Sequence, residues 1–137
     1  MKTAKIDLHL HLDGSLYLPW AYETAIKRGV VPSDYTFEEY YERYYQKDFK
    51  DRTESIKKFD FPVSILQTKE DISDAVYYLV RTLHEQEMIY AEIRFATQQH
   101  TQCGLTQKEA MLAAIDGMHR AEKDFPDVIV RVINCMM

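Results

Sequence analysis

Cysteine is scarce in this chain. Cys103 and Cys135 are the two that its 137 residues contain, too few for a disulfide framework and not at metal-ligand spacing, so both read as reduced thiols. An excess of basic charge is missing as well. Lys and Arg number 17 against 22 Asp and Glu, and the net charge of −5 comes from both signs mixed along the whole length. With no basic stripe to meet a phosphate backbone, nucleic acid is not an expected partner. Nor is there a long apolar run. The start, Met1 to Asp7, lacks the apolar stretch of a signal peptide, and no later segment approaches the roughly 18 apolar residues of a membrane span. The expectation is a soluble, cytoplasmic protein with no membrane partner. Internal repeats and low-complexity linkers are absent too, and the length is too short for two ordinary domains. One domain, or a piece of one, is the reading, with a hydrophobic content of 46% to supply a single core.

What is present is a clear alternation of strand and helix patterns. Residues 5–12 alternate strictly, with Ile6, Leu8, Leu10 and Leu12 on one face and Asp7, His9 and His11 on the other, the period of a strand. Asp13-Gly14-Ser15 breaks it. Leu16 to Arg28 reads as a helix closed by Gly29, and Thr36-Phe37-Glu38-Glu39 opens another at capping-box spacing. Its tyrosines, Tyr40, Tyr41, Tyr44 and Tyr45, read as amphipathic packing. Thr68 starts the clearest helix, in which Ile72, Ala75, Val76, Leu79, Val80 and Leu83 form one apolar stripe at helical spacing. Met88 to Ala96 reads as a second strand, Thr106 caps a helix running to about Asp124, and Val128 to Cys135 is a third strand. Strands separated by helices of this length predict parallel pairing through crossovers, an α/β architecture. Pattern alone does not separate a barrel from an open sheet.

The chemistry concentrates on the first strand. A buried parallel strand normally reads as a continuous apolar run, so the row Asp7, His9, His11 on one face, with Asp13 just beyond, needs a reason. Histidines at i and i+2 point the same way, and their imidazoles can approach one ion from one side. Neutral imidazole suits zinc, with iron, nickel and cobalt open on ligand type. The alternative is a pair of core histidines bonded to backbone carbonyls. Glu92 and Arg94 share a face of the second strand and are expected to form a buried ion pair. His84, His100 and His119, on or near helices without partners at useful spacing, are assigned to the surface.

The wider string Ile6-Asp7-Leu8-His9-Leu10-His11-Leu12-Asp13-Gly14-Ser15-Leu16 resembles the first-strand signature of adenosine deaminases in the amidohydrolase superfamily. Lys58-Phe59-Asp60 with Pro62 resembles the helical segment over their pocket, Tyr90 to Phe95 their second strand, and Val130 to Met137 their third, so the resemblance runs in order over nearly the whole chain. It implies the N-terminal part, about three strands, of a (β/α)8 barrel with a helical insertion after the first strand. His9 and His11 would then be zinc ligands at the C-terminal mouth of the barrel. The resemblance makes Asp13 an acceptor for a ribose 5′-hydroxyl. Ile56 and Phe59 match its apolar lid over the purine, and Met137 matches a pocket methionine. Relatives acting on free adenine resemble His-Ile-Glu-Gly at this place, so Asp13-Gly14 favours a nucleoside, and the implied reaction is zinc-dependent hydrolysis of adenosine, and of deoxyadenosine, to the inosine form.

The family's other ligands, a histidine after strand five, a histidine after strand six and an aspartate after strand eight, belong to strands this sequence does not contain, as does the glutamate that protonates the purine. No catalytic residue is therefore expected within residues 1–137, which read as the N-terminal segment of one hydrolase barrel domain, apparently truncated. Alone it should be catalytically silent and should pair with the remaining barrel segment or with itself. The rival readings are another metal-dependent amidohydrolase, such as an adenine deaminase or a dihydroorotase-like ring hydrolase, and a catalytically inactive fragment.

Overall fold

The computed structural model describes residues 3–45 and 59–136. Two of the expected pocket residues, Ile56 and Met137, lie outside the described residues. In chain order the elements are β1 (Lys5–His11), α1 (Leu18–Lys27), α2 (Phe37–Tyr44), α3 (Asp60–Ile65), α4 (Lys69–Glu85), β2 (Met88–Phe95), a 3-10 helix (Thr97–His100), α5 (Gln107–Asp124) and β3 (Ile129–Asn134). The three strands pair in the order β1-β2-β3, both pairs parallel. This is the expected α/β unit, with α4 and α5 in the connections between paired strands.

Local chemistry sets the helix ends. The Thr36 and Thr106 hydroxyls accept the amides of Glu39 and Glu109, whose carboxylates accept the threonine amides in return, so each capping box satisfies two otherwise orphaned donors. Thr68 accepts from the Asp71 amide at the start of α4. Helix α1 ends where Gly29 turns to a φ of 70°, the left-handed conformation that costs glycine little.

The apolar stripe on α4 is the core's spine: Ile72, Ala75, Val76, Leu79, Val80 and Leu83 are all buried. They join one cluster with Ala91, Ile93 and Phe95 of β2, Val130 of β3 and a row of small residues on α5, Ala110, Ala113, Ala114 and Ala121. That row lets α4 and α5 pack closely. A Cβ built on Gly117 would sit 2.2 Å from the Ser73 carbonyl oxygen. Beside this contact Ser73 Oγ donates to Asp116 Oδ2 at 2.7 Å, while Arg120 Nη1 donates to Ser73 Oγ and to Asp74 Oδ1.

Among the described residues, an aromatic cluster and an ion pair help hold the segment between β1 and α4. Tyr40 is fully buried within an aromatic cluster in which Tyr44 and Phe61 stack with centroids 4.0 Å apart, and its hydroxyl meets that of Tyr45 at 3.1 Å. The tyrosines pack as expected from their pattern. In the ion pair Arg28 Nε donates to the buried Asp71 Oδ2 at 2.6 Å and Nη2 to Thr68 Oγ1 at 3.1 Å. This pair bolts the end of α1 onto the start of α4.

Strand β1 departs from its strict sequence alternation. Asp7 pairs with Ala91 but Leu10 pairs with Ile93, so β1 uses one residue more than β2 across this stretch. Such a shift moves later side chains to the opposite face. Before it, Ile6 pairs with Tyr90; after it, His11 pairs with Arg94, and both partners lie on the face of β2 away from the core. Ile6 and Leu8 are therefore 58% and 54% exposed while Leu12 is fully buried. The four apolar residues of β1 do not share one environment, contrary to the expectation from alternation.

Candidate active site

The irregularity in β1 divides the polar row that alternation put on one face: Asp7 stands opposite Ala91 of the core face, and His11, beyond the shift, stands opposite Arg94 on the other face. The His9 amide donates to Asp7 Oδ1 at 2.8 Å, which satisfies the backbone where the ladder slips. Just past the strand, the Leu12 amide donates to the Arg94 carbonyl at 2.9 Å and the Ser15 amide to the Leu12 carbonyl. These bonds fix the turn that carries Asp13.

His9 and His11 face each other, their ring centroids 5.2 Å apart and their Nε2 atoms at 3.2 Å. Two tetrahedral ligands at about 2.0–2.1 Å from one zinc ion lie roughly 3.3–3.4 Å apart, so this spacing is close to that of a ligand pair. The donor chemistry agrees, since among the described residues neither imidazole is hydrogen-bonded to a backbone carbonyl, the partner the core-histidine alternative calls for. Among the described residues no group of three or more His, Cys, Asp or Glu is placed to hold a metal. The pair fits as two donors of a larger set.

Asp13 is 3% exposed, and its Oδ1 has no hydrogen-bond partner. That oxygen lies 3.9 Å from His11 Nδ1, beyond hydrogen-bond range. Burial raises the Asp13 pKa above the ordinary carboxylate value, opposed by the nearby His11 and His100 and by the backbone amides of Asp13 and Gly14. Phe59 closes one side. Its ring centroid is 5.9 Å from that of His11, and a Cβ on Gly14 would come within 3.2 Å of its Cε1, so glycine at 14 makes room for the ring.

Two expectations are corrected here. Glu92 and Arg94 share a face but form no ion pair: Glu92 Oε1 accepts from the Tyr90 hydroxyl at 3.0 Å, and Arg94 Nη2 donates to the Leu8 carbonyl at 2.7 Å. The β1 irregularity leaves that carbonyl within reach of the guanidinium. The second concerns His100. His84 and His119 are on the surface, paired with Asp127 and Glu122, but His100 is fully buried against Phe95, with Nδ1 donating to the Leu66 carbonyl at 2.8 Å. The 3-10 turn that carries it is too short to leave a periodic signature, and so sequence spacing gave no sign of its burial.

Comparison with known proteins sets these residues in context. Residues 4–137 match the family model described as "Adenosine deaminase". An adenosine deaminase of Haemophilus ducreyi is 44% identical over 116 residues, covering 82% of this chain and 33% of that protein. The chain thus spans about a third of that relative's length. Among solved structures, an adenine deaminase from Arthrobacter aurescens superposes with a TM-score of 0.79 at 24% identity over 94% of this chain and 38% of its own. An amidohydrolase from Burkholderia ambifaria with bound zinc gives 0.75 at 18% identity over 96% of this chain and 35% of its own. The shared fold identifies the three parallel strands as the N-terminal part of a (β/α)8 barrel.

Proposed function

The chain belongs to the adenosine deaminase family, and from that membership we propose that the whole protein built on these residues hydrolyses adenosine, replacing the 6-amino group with oxygen from water and releasing ammonia. The observation that carries the reading is the convergence of His9 and His11 Nε2 at 3.2 Å beside the buried Asp13. His9 and His11 would hold zinc. When bound, zinc acts as a Lewis acid that lowers the pKa of water to near neutrality.

The remaining roles belong to this chain's own side chains. Asp13 binds the sugar end by accepting a hydrogen bond from the 5′-hydroxyl. Its burial strengthens that bond by keeping competing water away. Because the 5′-hydroxyl is what it reads, deoxyadenosine is a substrate too. Phe59, held against His11, supplies an apolar wall for the purine and limits water around the reacting ring. Ile56 and Met137 are proposed for the same lining on the strength of the family resemblance. The proton-transfer groups would come from strands outside this sequence.

The test is adenosine turnover and zinc content in the whole protein, with His9→Ala and His11→Ala beside it. Each variant removes one ligand, so bound zinc and deamination should both fall to near background. Full zinc content in both variants would return the pair to core histidines and refute the metal role.

A further inference from the structure

Between Asp7 and Leu10 strand β1 uses one residue more than β2 does, and a bulge of this kind leaves backbone groups outside the ladder that need other partners. Here the partners are side chains. The His9 amide donates to Asp7 Oδ1 at 2.8 Å, and the Leu8 carbonyl accepts from Arg94 Nη2 at 2.7 Å. That amide and that carbonyl belong to one peptide group, so a single peptide plane is held at both of its polar atoms, by a carboxylate and by a guanidinium. Its orientation governs ψ at Leu8 and φ at His9, and so the direction in which the His9 side chain leaves the strand.

The same slip decides where His11 stands. Had strict alternation continued from Asp7, His11 would lie on the face of Ala91; beyond the slip it stands opposite Arg94 on the other face. Arg94 also holds the far end of this stretch, since its carbonyl accepts the Leu12 amide at 2.9 Å. One residue of β2 thus brackets residues 8–12, with its side chain at one end and its main chain at the other. His9 and His11 lie between, their Nε2 atoms 3.2 Å apart. A guanidinium suits the task, because it stays charged throughout the working pH range and its planar fork fixes the direction of each N–H.

We propose that Arg94 is a positioning residue for the metal pair: by holding the Leu8 carbonyl, opposite the Asp7 carboxylate on the His9 amide, it keeps the β1 bulge in the form that sets both imidazoles toward one ion. The proposal rests on the reading of His9 and His11 as zinc ligands given above. Arg94 itself touches neither the metal nor the substrate. Its effect is on how well the two donors are aimed before an ion arrives.

The experiment uses the whole protein and two readouts besides activity: the zinc dissociation constant, from competition with a chromophoric chelator, and the visible absorption bands of the cobalt-substituted protein, which report ligand geometry. The variants are Arg94→Met, Arg94→Lys and His9→Ala, with Asp71→Ala as a variant weakened away from the site. Arg94→Met should weaken zinc binding about tenfold to a hundredfold and shift the cobalt bands. Arg94→Lys, which keeps a donor for the Leu8 carbonyl, should recover most of both. Asp71→Ala should leave both at parent values. The cobalt bands are read per bound ion, so a variant that folds only in part still reports. Parent-like zinc affinity in Arg94→Met, or weaker zinc with unshifted cobalt bands, would overturn the positioning role alone if His9→Ala still loses its metal. Full zinc content in His9→Ala would overturn the ligand reading and this proposal with it.

Discussion

Replacing Gly117 with alanine sets two known effects against each other, and their magnitudes decide the outcome. In an isolated helix the change stabilises by about 1 kcal/mol, because glycine loses more backbone entropy. Here the new methyl would stand 2.2 Å from the Ser73 carbonyl oxygen, 2.9 Å from its carbon and 3.0 Å from Cα. The struck atoms are helix backbone and cannot rotate aside, so α4 and α5 must separate by roughly 1 Å. Overpacking of this kind costs about 3 kcal/mol, the upper part of the usual range. A gap of that size also weakens dispersion along the stripe the helices share. The balance is a net loss of about 2 kcal/mol, or a fall in Tm of roughly 5–10 °C for a chain of this size. Thermal and urea unfolding of Gly117→Ala beside the parent would measure it. Ser73→Ala should not rescue, since the clash is with main chain. An unchanged or raised Tm would show that the two helices slide apart freely and that their close approach carries no weight.

Asp13→Ala should lower kcat/KM for adenosine about 10²-fold, as expected for loss of a charge-assisted hydrogen bond worth roughly 1.5–3 kcal/mol with its orienting effect, and should spare 5′-deoxyadenosine. A parallel loss on both would refute it. Asp71→Ala removes the 2.6 Å bond to Arg28 and leaves the guanidinium with Thr68 and Glu70, so unfolding should show a loss of about 1–2 kcal/mol; a neutral result would mean the clamp between α1 and α4 is dispensable. The Thr106 amide and the Lys69 ammonium hold the Glu109 carboxyl down to about 2, from 4.5. A depressed carboxylate stabilises above its unfolded value and loses that contribution as pH falls through the folded one, so Glu109→Gln should flatten the urea midpoint's pH dependence between about 4.5 and 2. An identical slope in parent and variant would remove Glu109 from the acid response.

The order of strands and helices was legible in the chain alone, as were the residue types of the candidate site. Capping threonines at 36, 68 and 106, the α4 stripe and the polar row on β1 are local signals, readable because hydrogen bonding and side-chain periodicity act within a few residues. The tertiary structure decided what depends on neighbours. The register shift between Asp7 and Leu10 is a property of the β1–β2 pair; alternation alone placed Ile6 and Leu12 on the same face, where pairing puts one in the open and the other in the core. Glu92 and Arg94 looked like partners until the shifted strand brought the Leu8 carbonyl to the guanidinium. His100 looked like a surface residue because only the packing of Leu66 and Phe95 around a short 3-10 turn buries it. Burial and partnership are set by contacts distant in sequence, and it is those contacts that bury His100 and make Gly117 necessary.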